Sequence, residues 1–205
     1  DFLFTRSFEL MVEDGSLKVL KILSHASSVI SEGEVDQLTA ARQIETGEER
    51  YLGIIGAKTA ALFAAATRIA AVVAERAEAE ERALEDYGRN LGIAFQLVDD
   101  AIDYDSDQAE MGKGRGDDFR EGKMTLPVIL AYARGNEEER RFLLEAIAGF
   151  RTADEALAHA VALIRRQVSD AVRLPVFVMI IAALTTCIEL LMQAARVLIA
   201  DIGSP

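Results

Sequence analysis

The sequence predicts an all-α protein, a bundle of long helices. Three observations predict it. The chain is 51% hydrophobic but only 6% aromatic, and its small and aliphatic residues are common helix formers. Only 3 prolines interrupt its 205 residues, and turn dipeptides are few, which argues against short strands. Apolar residues recur at spacings of three and four along most of the chain. The length suits a single domain, residues 1–205, with a sizeable core.

Phe2 to Glu13 reads as a helix, with Phe4, Phe8 and Met11 spaced by four and three. Asp14-Gly15-Ser16 is a turn, and Ser16 is placed to cap the next helix. That helix runs from about Leu17 to beyond Leu38, with Val19, Ile22, Ala26, Val29 and Ile30 as its core face. His25 lies inside it. No second His or Cys stands at ligand spacing, so His25 reads as a core residue rather than a ligand.

Thr46-Gly47-Glu48-Glu49 has the spacing of a capping box and opens a third helix. There Leu52, Ile55, Thr59, Leu62, Ala66, Ile69 and Val73 recur at three and four. The run is rich in alanine, so neighbouring helices can approach closely. Lys58 and Thr59 stand in its middle. Periodicity alone sends Lys58 out to water and packs Thr59. The next helix spans about Glu80 to Tyr104, with a boundary between Glu78 and Glu81.

Asp105 to Gly122 reads as a loop, mobile without a ligand. Thr125 caps a helix that has Pro127 in its first turn and ends at Gly135-Asn136. Glu137 to Ala148 and Ala153 to Arg173 are further amphipathic helices. Val176 to Ile188 is thirteen residues without a charge. A membrane span needs about 20, so this reads as a buried or dimer-facing helix, and no transmembrane segment is predicted.

The formal net charge is -12, which disfavours nucleic acid and anionic membrane surfaces as partners. The single Cys187 excludes an intrachain disulfide and fits a reducing compartment, the cytoplasm. Asp1-Phe2-Leu3-Phe4 is followed by Arg6 and Glu9, which does not read as a secretory signal.

The candidate chemistry lies between Phe95 and Lys123. On a helix, Gln96, Asp99, Asp100 and Asp103 share an arc of roughly 100°. Tyr87, Leu91, Val98 and Ile102 fall opposite, predicting that an apolar stripe pins the helix while the carboxylates point elsewhere. Grouped acids repel by a few tenths of a kcal/mol per i,i+4 pair, roughly, and a cation relieves this. Mg²⁺ typically takes one or two carboxylates, with waters and substrate phosphates. Lys113 and Lys123 follow, framed by glycines in GKGRG and EGK. That combination suits a diphosphate held by Mg²⁺ on one side and ammonium groups on the other.

By itself, DDxxD in so acidic a chain is as often a solvated face. An EF-hand fits Asp103, Asp105 and Asp107 but fails at Gln108, where glycine is needed, and at Gly114, where glutamate is. A Walker A loop fails because Asp117 stands five before Gly122.

FQLVDDAIDY followed by GKGRGDDFREGKMTLP resembles the second aspartate-rich region of the trans-polyprenyl diphosphate synthases. GDDFREGKMTLPVILAYARG is most similar to their long-chain members, the octaprenyl and decaprenyl type. The resemblance runs from Asp1 to about Gly135. It implies an isoprenoid-synthase-type helical bundle around a central apolar cavity. It implies Mg²⁺-dependent, head-to-tail condensation of isopentenyl diphosphate onto an allylic prenyl diphosphate, giving a quinone side-chain precursor.

The same resemblance implies a catalytic set of Lys58, Asp99, Asp100 and Asp103. Asp99 and Asp103 would bind Mg²⁺, with Asp118 reaching it through water. Lys58, Lys113 and Lys123 would hold diphosphate oxygens, Thr59 and Gln96 would donate hydrogen bonds, and Phe95 would pack near the isopentenyl substrate. AKTAALF matches the family's lysine–threonine pair, which reverses the periodicity reading of Lys58. GEVDQL resembles a pocket-lining segment and adds Gln37 as a weaker candidate. The resemblance also implies a homodimer. It implies a first aspartate-rich motif upstream, so the sequence is expected to lack roughly an N-terminal third and to be inactive alone. Three alternatives stand beside it: a non-catalytic helical subunit, a shorter-chain farnesyl or geranylgeranyl synthase, and a terpene cyclase. GDDFREGK speaks against the last.

Overall fold

All regular structure among the described residues is helical. The computed structural model describes residues 2–105, 116–148 and 154–168. In order come α1 (Phe2–Asp14), α2 (Leu17–Ala40), α3 (Glu48–Ile55), a π-helical turn (Gly56–Ala60), α4 (Ala61–Val73), α5 (Glu78–Asp105), α6 (Asp117–Glu121), α7 (Leu126–Arg134), α8 (Glu137–Ala148) and α9 (Asp154–Val168). Lys113 and the uncharged stretch from Val176 to Ile188 lie outside the described residues, as does the end of the helix expected to reach Arg173.

Several elements start where their chemistry says they should. The Ser16 hydroxyl accepts from the Val19 amide at 3.3 Å, which fixes the start of α2. Pro127 sits in the first turn of α7. Thr125 holds the N-cap position of α7 without a side-chain cap; its hydroxyl stands 3.4 Å from that of Tyr104 instead. The capping box expected at Thr46 does not form. Gly47 takes the cap position, and the Thr46 hydroxyl is buried with no hydrogen-bond partner. The early acids Glu48 and Glu49 still complement the positive end of α3.

α3, the π turn and α4 form one continuous rod, and it departs from the expected periodicity. Tyr51, Ile54, Ile55, Ala60, Ala64, Ala65 and Ala71 are buried, whereas Leu52, Leu62 and Val73 are exposed. A π turn carries an extra residue, so a strict stripe of threes and fours cannot follow the buried face across it. The rod is long and apolar enough, by composition alone, to cross a membrane. It packs against α2 and α5 and carries Lys58 and Thr59, as a core helix of a bundle does.

α5 is also turned from its expected orientation. Phe95 and Ile102 are exposed, while Gly88, Gly92, Ala94, Leu97, Asp100 and Tyr104 are buried. The helix is seated by its small residues rather than by the stripe of Tyr87, Leu91, Val98 and Ile102. A Cβ at Gly92 would stand 2.6 Å from the Ala60 Cα, so the two backbones meet almost directly. The alanine-rich rod does allow the close approach that its composition suggested.

The bulky core lies under α7, α8 and α9, where Val128, Leu143, Ile147, Val161 and Ile164 pack with Phe119 and Tyr104. The segment expected to be a loop up to Gly122 contains the one-turn α6. Gly116 (φ 73°) and Gly122 (φ 76°) bracket it in the left-handed conformation that favours glycine. His25 is exposed, contrary to its reading as a core residue, because α2 buries Val19, Ala26, Gly33 and Ala40. Ile22, Val29 and Ile30 are half-buried, so that part of the core face holds only partly. On α1, Met11 is buried and Phe8 is exposed.

Candidate functional site

The π turn delivers Lys58 and Thr59 to one side of the rod, facing α2 and α5. On α2, Gly33 leaves room for this: a Cβ there would stand 2.7 Å from the Lys58 backbone nitrogen. The Lys58 ammonium donates to Gln37 Oε1 at 2.6 Å and stands 3.3 Å from Glu34 Oε1. Both partners come from the GEVDQL segment. Gln37, Tyr51, Lys58, Gln96, Asp100 and Thr125 line one cleft between α2, α3, α5 and the start of α7.

A chain of hydrogen bonds crosses that cleft. The Thr59 hydroxyl donates to Gln96 Oε1 at 2.8 Å. Gln96 Nε2 then donates to Asp100 Oδ1 at 2.7 Å and, at 3.4 Å, to Asp99 Oδ2. The other oxygen of Asp100 accepts from the Tyr51 hydroxyl at 2.7 Å. Asp100 is 4% exposed, so both of its oxygens are committed inside the protein. Burial pushes its carboxyl up to about 6, against the opposing pull of the Tyr51 and Gln96 hydrogen bonds. Tyr51 is held well above its ordinary value, first by burial and then by the Asp100 carboxylate beside it.

The other two aspartates are differently placed. Asp99 is exposed and Asp103 is half-buried. Asp103 Oδ2 accepts from the Asp118 amide at 3.2 Å, which ties α5 to the start of α6. Burial, then the neighbouring Asp118 charge, raises the Asp103 carboxyl to about 6. Lys123 donates to Asp118 Oδ1 at 2.8 Å and pairs with Glu121 Oε2 at 2.7 Å. Burial pulls the Lys123 ammonium down, but those two carboxylates outweigh it and its pKa is raised. Phe95 is 55% exposed, its ring 5.5 Å from that of Phe63.

Among the described residues, no three His, Cys, Asp or Glu side chains form a cluster ready to hold a metal ion. The donor set nevertheless fits a hard divalent cation. Asp103, half-buried and raised by burial and by the Asp118 charge, gains from a positive ion, Asp99 is exposed beside it on α5, and Mg²⁺ needs only one or two carboxylates when phosphates complete its shell.

The structure thus brings Lys58, Thr59, Gln37, Gln96 and Asp100 together and sets Asp103, Asp118 and Lys123 around α6, while Asp99 stands exposed on α5 with Gln96 as its partner. Sequence reasoning missed Tyr51, which matters through its hydrogen bond to Asp100, forty-nine residues on. It also missed Arg42, a non-glycine residue at φ 63°. The Arg42 amide donates to Gly122 O at 2.8 Å and its guanidinium to Ile147 O at 3.0 Å, which anchors the turn carrying Lys123. Nothing in the sequence announces that clasp.

Comparison with known proteins gives the family and the fold. A family profile described as polyprenyl synthetase matches residues 1–164, which extends the likeness beyond Gly135 through most of α9. The chain is 48% identical over 161 residues to octaprenyl diphosphate synthase of Haemophilus influenzae, covering 77% of this chain and 49% of that protein. It is 46% identical over 147 residues to octaprenyl diphosphate synthase of Escherichia coli, covering 72% and 46%. The chain spans about half the length of these curated relatives. Among solved structures, a decaprenyl diphosphate synthase from Rhodobacter capsulatus superposes with a TM-score of 0.79 at 48% identity, over 89% of this chain and 57% of that one. A polyprenyl synthase from Caulobacter crescentus, complexed with calcium and isoprenyl diphosphate, gives 0.83 at 47% identity, over 91% and 58%.

Proposed function

The chain belongs to the polyprenyl synthetase family, and from that membership we propose that it carries a diphosphate-binding face of a long-chain polyprenyl diphosphate synthase. The substrates are an allylic prenyl diphosphate and isopentenyl diphosphate. The allylic C–O bond breaks, the isopentenyl double bond attacks the freed carbon, a proton is lost, and the chain is five carbons longer. Diphosphate leaves, and one of its oxygens can take the proton.

One observation carries this reading: Lys58 and Thr59 are turned out of an apolar rod onto Gln37, Gln96 and Asp100 within a single cleft. Lys58 and Lys123 place fixed positive charge where the departing diphosphate gathers negative charge. Lys113, outside the described residues, would add a third ammonium by the family resemblance. Thr59 and Tyr51 hold Gln96 and Asp100 in place, and Asp100 in turn fixes the pitch of Asp99 and Asp103. Those two, with Asp118, would hold Mg²⁺, which neutralises the diphosphate when bound. Phe95 lies on the exposed side of α5, where it can pack against the isopentenyl substrate.

The relatives favour a long product, since octaprenyl synthases and a nonaprenyl synthase at 43% identity stand above the shorter-chain ones in similarity. We place the protein in the cytoplasm as a homodimer of a single-domain subunit, 1–205 being part or all of that domain. The alternative reading is a non-catalytic helical subunit that completes its site with a partner.

Incorporation of radiolabelled isopentenyl diphosphate tests the proposal. In whichever form of the protein turns over, Asp99→Ala should lower turnover by orders of magnitude with the thermal melt unchanged. Undiminished turnover removes Asp99 from the site. Turnover that appears only on adding a second chain selects the subunit reading.

A further inference from the structure

Glu121 closes α6 two residues before Lys123, and its carboxylate lies 2.7 Å from the Lys123 ammonium. Lys123 already has a better sheltered partner in Asp118, at 2.8 Å. The Glu121 side chain is 60% exposed, so its pairing with Lys123 stands in reach of solvent. Its carboxyl is held below the usual range first by the Lys123 hydrogen bond and charge, and Lys58 adds to the effect. Two of the ammonium groups assigned to the diphosphate therefore act on this one carboxylate. Lys58 shows the same arrangement on its other side, with the half-exposed Glu34 at 3.3 Å.

We propose that Glu121 is a built-in competitor of the diphosphate: its carboxylate occupies the Lys123 ammonium and must leave before phosphate oxygens can take that place. The proposal rests on the diphosphate-binding reading above. It makes Glu121 a residue that sets affinity rather than one that performs chemistry. An exposed ion pair is worth only about 0–1 kcal/mol, so a multiply charged ligand displaces it readily while weaker anions are held off. Glu34 plays the same part at Lys58. A structural role for Glu121, orienting Lys123 for its ligand, predicts the opposite sign when the charge is removed.

The test is calorimetric titration of the full chain with inorganic pyrophosphate in the presence of Mg²⁺ at low salt. Glu121→Gln keeps the side-chain length and removes the charge. It should bind about threefold more tightly than the original chain, with an unchanged thermal melt. Raising the salt should narrow the gap, since exposed pairs are screened. Adding Lys123→Ala to Glu121→Gln should erase the gain. Equal or weaker binding by Glu121→Gln, where the original chain binds, overturns the competitor role and leaves the diphosphate site standing. Absence of binding by both overturns the diphosphate site, and this inference with it.

Discussion

The seam between α4 and α5 and the core beneath α7, α8 and α9 are packed in opposite ways. In the seam, backbones meet over glycine and alanine, at Gly92 against Ala60 and at Gly88 against Phe63. Beside it, polar side chains are buried in mutual hydrogen bonds, from Thr59 through Gln96 to Asp100 and Tyr51. In the core, large aliphatic side chains fill the space, and Val128, Leu143 and Ile164 are each 0% exposed. The core supplies stability through apolar area. The seam supplies position, because small residues leave the helices no freedom to slide, and polar groups between them have one arrangement. Chemistry is set where the packing is tight and polar rather than where it is thick.

The largest test of that contrast is in the core. Leu143→Ala should cost about 2–5 kcal/mol in urea unfolding, the usual range for a fully buried leucine. Binding of Mg²⁺ and pyrophosphate by the folded remainder should be unaffected. A parallel loss of affinity would show that core and seam are one unit.

Gly92→Ala reverses the emphasis. Its added Cβ meets backbone rather than a flexible side chain, so α5 must move off α4 at about 1–3 kcal/mol. Pyrophosphate affinity should fall at least tenfold, because Gln96 and Asp100 move with the helix. Retained affinity would mean that the seam does not position the site.

The smallest effect is a pH slope. A carboxyl raised in the fold binds its proton more tightly folded than unfolded. Asp100 and Asp103 are both raised to about 6, from an ordinary value near 3.8. Between those values the folded state holds more protons, so stability falls as the pH rises through the window. Self-repulsion in a chain of net charge -12 acts in the same direction. Without divalent cations, urea midpoints should be higher near pH 4.5 than at pH 7 (conditions set roughly to bracket the window). Asp100→Asn should flatten the slope; an unchanged slope would place the titration elsewhere.

The contrast also explains what was legible in the sequence. The start of α2 and the end of α7 were readable because Ser16, Gly135 and Asn136 act locally. The functional positions were readable because their residue types are uncommon in apolar helices: a Lys-Thr pair in an alanine run, and clustered aspartates. Orientation was not readable. Hydrophobic periodicity finds faces that bury bulk, and α5 buries Gly88 and Gly92 instead. It also assumes an unbroken α-helix, which Gly56–Ala60 is not. Tyr51, Glu34 and Glu121 escaped because each matters through a partner distant in sequence or through the sign of its charge. His25 was misplaced because a lone histidine carries no periodic information of its own.

The wide turn at Gly56–Ala60 has one more consequence. It absorbs one residue between two stretches of helix, and Ala60, its last residue, is the one that meets Gly92. Removing a single residue there would close the turn to ordinary α-helix and leave the flanking stretches in phase. The loss would fall on the turn alone, and so on the presentation of Lys58 and Thr59 and the seat of Gly92.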